Sequence, residues 1–312
     1  MRKAIMAMAV LALGLVGATP ALGFGTLHGF GQNAEHERIT RAALNDWAPN
    51  TLNEIAGRYG RFGGVGSPDN PFRGLVFTSE AHCDNGDYLA TNGPVAYPQS
   101  QADAQTHLER CRAWMVQWLD RAVHDAAPLA QPGAKNTALD CVFVGQANSA
   151  KCAVLADLGI AFHAAQDFYA HTNWVDRVTG ETSATNPPGL GNEGRAPWLD
   201  PRATLPFPQG LISGCFGGVP ESWYCKYNLD DVRVRHAVLN KDEGPIGPAG
   251  ATGPGETPRG AANGNFERAV AAAIDDTRDK WAYFQEQVMN AYGAQGPRII
   301  CVVKSDDLAR CP

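Results

Sequence analysis

The chain runs to 312 residues, 44% of them hydrophobic, with eight cysteines and a formal net charge of −6. That length suits one large domain or two small ones. The acidic balance argues against a broad nucleic-acid surface, which would need clustered basic residues.

Arg2 and Lys3 precede a near-continuous apolar run from Ala4 to Ala18, and Ala21 and Gly23 are suitably small for signal-peptidase cleavage before Phe24. This is the pattern of a secretory signal, and the run falls short of the roughly 20 residues a membrane anchor needs. Residues 1–23 are therefore expected to be a signal peptide. The mature chain would lose Arg2 and Lys3, become more acidic, and be a soluble secreted or periplasmic protein. In an exported chain the eight cysteines read as disulfides. Pairing sequence neighbours is the simplest arrangement (Cys83/Cys111, Cys141/Cys152, Cys215/Cys225, Cys301/Cys311), although on the order of a hundred connectivities exist. No C-x-x-C pair is present to build a thiolate zinc site. Any metal must then use His, Asp and Glu.

Along the mature chain, Ile39, Ala43 and Trp47 recur at helical spacing and predict a helix over 34–47. Residues 60–98 are rich in Gly, Pro and Asn and lack that period. Helical spacing resumes over 101–126 through Leu108, Met115, Trp118, Leu119, Ala122 and Val123. The stretch 150–175 is the most apolar of the mature chain and predicts a buried helix through Val154, Leu158, Ala161, Phe162, Ala165 and Phe168. Long loops are expected over 178–222. Gly244 to Gly260 reads as a mobile Gly/Pro loop, its few G-x-y triplets being too short for a collagen helix. A terminal helix is predicted over 265–292, followed by an extended tail, 297–312, held by Cys301 and Cys311. The expected fold class is all-α: a single multi-helix domain over 24–292, with long loops and a disulfide-held C-terminal tail over 293–312.

The string FHAAQDFYAHTNWVD, residues 162–176, is the most informative. It places His163, Asp167 and His171 at i, i+4 and i+8, stacked along one helix face with Cβ atoms about 5–6 Å apart. The segment is otherwise apolar. Burying such groups without partners costs on the order of 2–7 kcal/mol per neutral polar group, and more for an ion. A divalent cation removes that penalty by taking the lone pairs, and zinc accepts His nitrogen and Asp oxygen at about 2.0–2.2 Å. The alternative is a satisfied His–Asp–His hydrogen-bond network in the core. Further histidines stand at His36 on the first helix, at His82 within EAHCDNGDY, and at His236 ahead of Asp242 and Glu243. His107 and His124 lie in ordinary polar helical contexts and are expected at the surface.

The pattern H-x-x-x-D-F-Y-A-H-T-N-W resembles the helix motif of zinc-dependent phospholipase C enzymes. It is closer still to the fungal heterokaryon-incompatibility proteins and their bacterial relatives. It is more distantly similar to the fungal single-strand nucleases that share the trinuclear zinc site. The resemblance implies an all-helical domain around a buried zinc centre of about two to three ions. By residue, it implies a ligand at the mature N-terminus, where Phe24 stands in place of the usual Trp. It then implies His36, Asp69, His82, His163 and Asp167, the last bridging two zincs, followed by His171 and His236. The match is imperfect: Asp69 and His82 lie one residue closer than in the family, and His171 follows Asp167 two residues early. At the position of the family's final Glu this chain has Asn240, so the last carboxylate falls to Asp242, with Glu243 beside it. An α-amine with a pKa near 8 can give its lone pair to zinc at neutral pH, and the plainer reading of Phe24 is an apolar anchor.

The resemblance implies three groupings. His163, His82 and Asp167 form the first; Asp167, His36 and the Phe24 amine form the second; His171, His236 and Asp242 form the third. Asp69 would hold metal or act as general base. The expected activity is zinc-dependent phosphodiester hydrolysis, phospholipase C-like, on a phospholipid or other phosphodiester. Transient contact with a membrane surface and no stable nucleic-acid partner are expected. Tyr88, Trp174 and Trp223 are candidates for lining the substrate, or for simple packing. A single-strand nuclease of the same superfamily and a non-catalytic zinc-binding secreted protein are the alternatives.

Overall fold

The computed structural model describes residues 24–29, 32–58, 61–90, 96–133, 136–218, 221–226 and 233–312. The expected signal peptide, 1–23, lies outside them. Helices α1 (Glu35–Ala43), α2 (Pro49–Ala56), α3 (Ser79–His82), α4 (Gln101–Asp125) and α5 (Ala150–His171) are followed by α6 (Glu221–Tyr224) and α7 (His236–Leu239). The chain ends with α8 (Pro258–Ala261), α9 (Asn265–Tyr292) and α10 (Gly296–Lys304). The mainly helical fold class expected from the sequence is what the chain adopts.

Helix α5 is the axis. Apart from its first turn it is buried on nearly every side, as a helix apolar all round must be. Ser149 caps its start by accepting from the Cys152 N–H at 3.1 Å. It ends at His171 rather than 175, where the backbone of Thr172 turns extended, ψ 165°. Asn173 spends its side chain on the Pro188 and Gly210 carbonyls of the long loop instead. Helices α4 and α9 pack on α5 and on each other, and α1 packs on α9. Helix α4 opens with a capping box between Ser100 and Asp103. The first helix stops at Ala43, short of the expected 47, where Asn45 and Asp46 favour a turn. Trp47 still reaches the core, 4.8 Å from Trp281.

Two expectations need correcting. The Gly/Pro stretch 244–260 is not bare loop but carries a strand pair and the start of α8. Strands β1 (His28–Gly29) and β2 (Gln32–Asn33) form one small antiparallel pair, while β3 (Ile246–Gly247) and β4 (Gly250–Ala251) form another inside that stretch. The second pair packs on α9 and α1, and Thr257 Oγ1 ties the return to the Asn240 carbonyl at 2.7 Å. The tail is likewise not extended. Its residues 296–304 form α10, started by Pro297 and burying Ile299, Val302 and Val303 at helical spacing. Packing has overridden the strand preference of its β-branched run, and these side chains join the same hydrophobic core as Phe24 and Phe162.

All four disulfides pair sequence neighbours, Cys83–Cys111, Cys141–Cys152, Cys215–Cys225 and Cys301–Cys311. Such density belongs to an oxidising compartment. Among the described residues, no helix is long and apolar enough to cross a membrane.

Candidate metal centre

Helix α5 holds His163, Asp167 and His171 fully buried on one face. The rest of the set arrives from separate elements. Phe24 comes from the start of the described chain, His36 from α1, and Asp69 from a 3-10 turn at Ser67–Asp69. His82 ends α3, His236 begins α7, and Asp242 follows it. All nine expected residues meet around the α5 face, in two lobes.

Asp167 is the centre of the first lobe. Its Oδ1 accepts from the Phe24 nitrogen at 3.1 Å and lies 3.1 Å from His36 Nε2. Its Oδ2 lies 2.9 Å from His82 Nδ1 and 3.0 Å from His163 Nε2. Asp69 Oδ1 stands back, 3.8 Å from His163 Nε2 and 3.9 Å from His82 Nδ1, while its Oδ2 accepts from the Thr26 hydroxyl. In the second lobe, His171 Nε2 is 3.3 Å from Asp242 Oδ1 and His236 Nε2 is 3.9 Å from Asp242 Oδ2. The two imidazoles meet edge to face with centroids 4.2 Å apart.

The outer hydrogen bonds fix which nitrogens carry protons. His163 Nδ1 faces the Val65 carbonyl at 2.9 Å and His171 Nδ1 the His82 carbonyl at 2.7 Å. His36 Nδ1 faces Gln166 Oε1 at 2.7 Å, and His236 Nδ1 faces Glu221 Oε1 at 3.3 Å. Each partner can only accept, so each Nδ1 is the donor and each Nε2 is turned inward, where the neutral ring offers its lone pair. Metal-ligating histidines are oriented in this way. Glycine makes one such contact possible: a Cβ on Gly159 would sit 2.2 Å from the Gly64 backbone. That close approach lays the segment leading to Val65 and Asp69 against α5.

Inside this frame His82 Nδ1 hydrogen-bonds Asp167 Oδ2 at 2.9 Å and His163 Nε2 at 3.1 Å, but other polar atoms are not satisfied. His36 Nε2, Asp69 Oδ1, His82 Nε2, Asp84 Oδ1, His171 Nε2 and both Asp242 carboxylate oxygens are buried without a hydrogen-bond partner. Several lie within ion-pair distance of one another yet are not aligned as hydrogen bonds. A closed His–Asp–His network would align them, so this favours the metal alternative over the satisfied core network. Leaving them bare costs on the order of 1–3 kcal/mol each. Three sets have one donor atom per residue within 4.8 Å: His36–Asp69–His163, His82–His163–Asp167 and Asp84–His171–His236. These buried His and Asp groups are able to hold metal ions.

Burial alone would keep the imidazoles neutral, but the carboxylates oppose it. At His171, burial lowers the pKa, and Asp167, Asp242 and Asp84 outweigh it and carry it well above the usual value. His36 and His82 are also raised against burial, chiefly by Asp167. At His163 burial prevails and the pKa falls. Asp167 is held well below the carboxylate range by His163, His171 and His36, against its own burial. The centre has a strong demand for positive charge.

Four contributors were not expected from the sequence. Asp84 carried a signal, since EAHCDNGDY is dense in oxygen donors. Gln166 reads as one more polar residue on α5, and Thr26 and Glu221 as ordinary loop residues. Among the carboxylates after His236, Asp242 enters the centre, and Asn240 Oδ1 instead accepts from the Asp242 N–H at 2.7 Å. His124 is exposed and His107 half-buried. Trp174 packs in the core with its indole N–H on the Gly194 carbonyl, Tyr88 packs on Tyr97, and Trp223 is exposed. The clefts of about 600 Å³ beside Arg121 and Asp157 and about 820 Å³ beside Arg61 and Phe62 include none of these ligands. Comparison of the chain with protein-family models, curated proteins and solved structures finds no match in any of the three.

Proposed function

We propose that this protein is a secreted zinc-dependent phosphodiester hydrolase, phospholipase C-like in acting on a phospholipid head group. One observation carries the reading: inward-facing Nε2 lone pairs and bare carboxylate oxygens converge in two adjacent buried lobes on one helix. A donor set of imidazole and carboxylate without thiolate suits zinc. Phe24, His36, Asp69, His82, His163 and Asp167 would hold ions in the first lobe, and His171, His236 and Asp242 in the second. When bound, closely spaced zincs acidify water and neutralise charge on a phosphoryl oxygen. The resemblance of the H-x-x-x-D-F-Y-A-H-T-N-W string to the phospholipase motif supports the choice of substrate class.

The chain's own groups have definite tasks in such a reaction. Hydrolysis transfers a water oxygen to phosphorus and breaks the bond to the leaving alcohol. A base must take the water's proton, and Asp69 Oδ1 is the unpartnered carboxylate oxygen of the first lobe. The Thr26 hydroxyl on Oδ2 holds that carboxylate in place. Gln166, Val65 and the His82 carbonyl hold the imidazoles.

The test is elemental analysis of protein purified without chelators, followed by assay on phosphatidylcholine vesicles and on single-stranded nucleic acid. About two to three zincs per chain, with release of phosphorylated head group, is the expected result. Nucleic-acid cleavage without lipid hydrolysis would move the reading to a nuclease. Zinc with neither activity would leave a non-catalytic zinc protein, and absence of metal would remove the basis of the proposal.

A further inference from the structure

We infer that Asp84 is a fourth protein ligand of the second lobe, which makes that position a closed His171–His236–Asp84–Asp242 set. The inference rests on the centre being metal-binding, and it assigns the two lobes different tasks. Asp84 and Asp242 are 3% and 2% exposed. Asp84 Oδ1, both Asp242 oxygens and His171 Nε2 have no hydrogen-bond partner, and donor atoms of Asp84, His171 and His236 lie within 4.8 Å of one another.

Two plainer roles for Asp84 fail on geometry. It does not orient His171, because the Nδ1–H is already given to the His82 carbonyl at 2.7 Å; Asp84 Oδ1, at 3.4 Å from the same nitrogen, makes no hydrogen bond to it. Nor does it pair with the lysine nearest in sequence to Asp242. Lys241 Nζ is turned away onto the Thr172 and Leu239 carbonyls and Asp176. Two buried carboxylates converge here with the His171 and His236 imidazoles, and one divalent cation would balance both carboxylate charges. Such a pair left uncompensated at this depth would be strongly unfavourable.

The backbone explains how two residues separated only by Cys83 serve different lobes. Cys83 takes a left-handed conformation, φ 54°, and is tied to α4 through Cys111. The turn sends His82 to Asp167 and Asp84, two residues on, to His171. Four protein ligands complete a tetrahedral zinc shell, as in sites that stabilise structure, whereas a catalytic site keeps a position open. The second lobe is therefore the tightly held ion, and the open position belongs to the first lobe with Asp69.

Zinc titration of the mature protein against a competing chelator tests this directly. Asp84→Ala should weaken one zinc by more than about 100-fold, beyond the roughly 10–100-fold expected for an outer hydrogen-bond partner, while the remaining zinc binds as in wild type. Unchanged stoichiometry and affinity in that variant would overturn the inference. Should Asp84→Ala fail to fold, anomalous diffraction from zinc-loaded wild-type crystals decides. An Asp84 oxygen at about 2.0–2.2 Å from an ion supports the assignment, and a zinc-bound second lobe that Asp84 does not touch refutes it. Wild-type protein that takes up no zinc would instead sink the metal reading itself.

Discussion

Replacing Gln166 with leucine separates a pre-set metal site from a fortuitous cluster of histidines. Gln166 Oε1 accepts from His36 Nδ1 at 2.7 Å, and its Nε2 donates to Thr40 and Thr277 at 3.0 and 3.1 Å. Leucine leaves the His36 Nδ1–H buried without an acceptor, at about 1–3 kcal/mol, and removes two ordinary hydrogen bonds worth about 1 kcal/mol each. A net loss of roughly 3 kcal/mol lowers the melting temperature of a chain this size by roughly 6–12 °C. The tautomer lock is lost as well, so zinc in the His36 half of the first lobe should bind about 10–100-fold more weakly. Gln166→Glu keeps an acceptor facing His36 Nδ1 and should recover zinc affinity even where stability stays low. Calorimetry of metal-free protein and chelator-competition titration read the two effects separately. Wild-type zinc affinity in Gln166→Leu would refute the claim that this amide sets the His36 lone pair.

Other outcomes follow from the same geometry. Gly159→Ala drives a methyl to 2.2 Å from the Gly64 backbone; it should destabilise by about 1–3 kcal/mol and lower zinc uptake by shifting Val65 and Asp69, as calorimetry and elemental analysis would show. His163→Ala should lose zinc and all hydrolysis, whereas His124→Ala, at an exposed position, should do neither; equal behaviour would discredit the assignment of the α5 stripe. Asp157 gives a pH signature remote from the centre. Burial, with Asp125 adding to it and Arg121 and Arg73 opposing, pushes its pKa from 3.8 to about 7. Between those values the unfolded chain ionises first, so stability falls as pH rises through the window, by up to roughly 4 kcal/mol. Asp157→Asn should therefore raise the melting temperature more at pH 8 than at pH 4, and an equal shift at both would contradict this.

The helices that carry the site were legible because their physics is local. Residues 265–292 form one amphipathic period, and 150–171 are too apolar to be anything but core. The i, i+4, i+8 spacing of His163, Asp167 and His171 fixed a common face before any tertiary contact was known. Neighbour pairing of the cysteines held too. The failures are tertiary. Nothing local distinguishes the β-branched run Ile299–Val303 from a strand until the core claims one helical face of it. The Gly/Pro stretch 244–260 looked unconstrained because its anchors, such as Thr257 on the Asn240 carbonyl, are long-range bonds. Gln166 and Glu221 escaped for a related reason: an orienting side chain is recognisable only by what it touches.

The same dependence on long-range partners runs through the whole of the candidate site. Each inward Nε2 is enforced by a partner drawn from a different part of the chain: Val65 and the His82 carbonyl from backbone, Gln166 from α5 itself, and Glu221 from the Cys215–Cys225 loop. Folding alone gains little from aiming four imidazole lone pairs at carboxylate oxygens, because aligned hydrogen bonds would be more stable. The frame uses backbone carbonyls, the buried Gln166 and the partly buried Glu221 to hold carboxylates and imidazoles in an arrangement that bound cations would stabilise. Were cations bound there, much of their binding free energy would be folding free energy. On the proposed function, chelation should cost the protein stability even in a variant such as Asp69→Asn, which would lack the base, and calorimetry with and without chelator checks this.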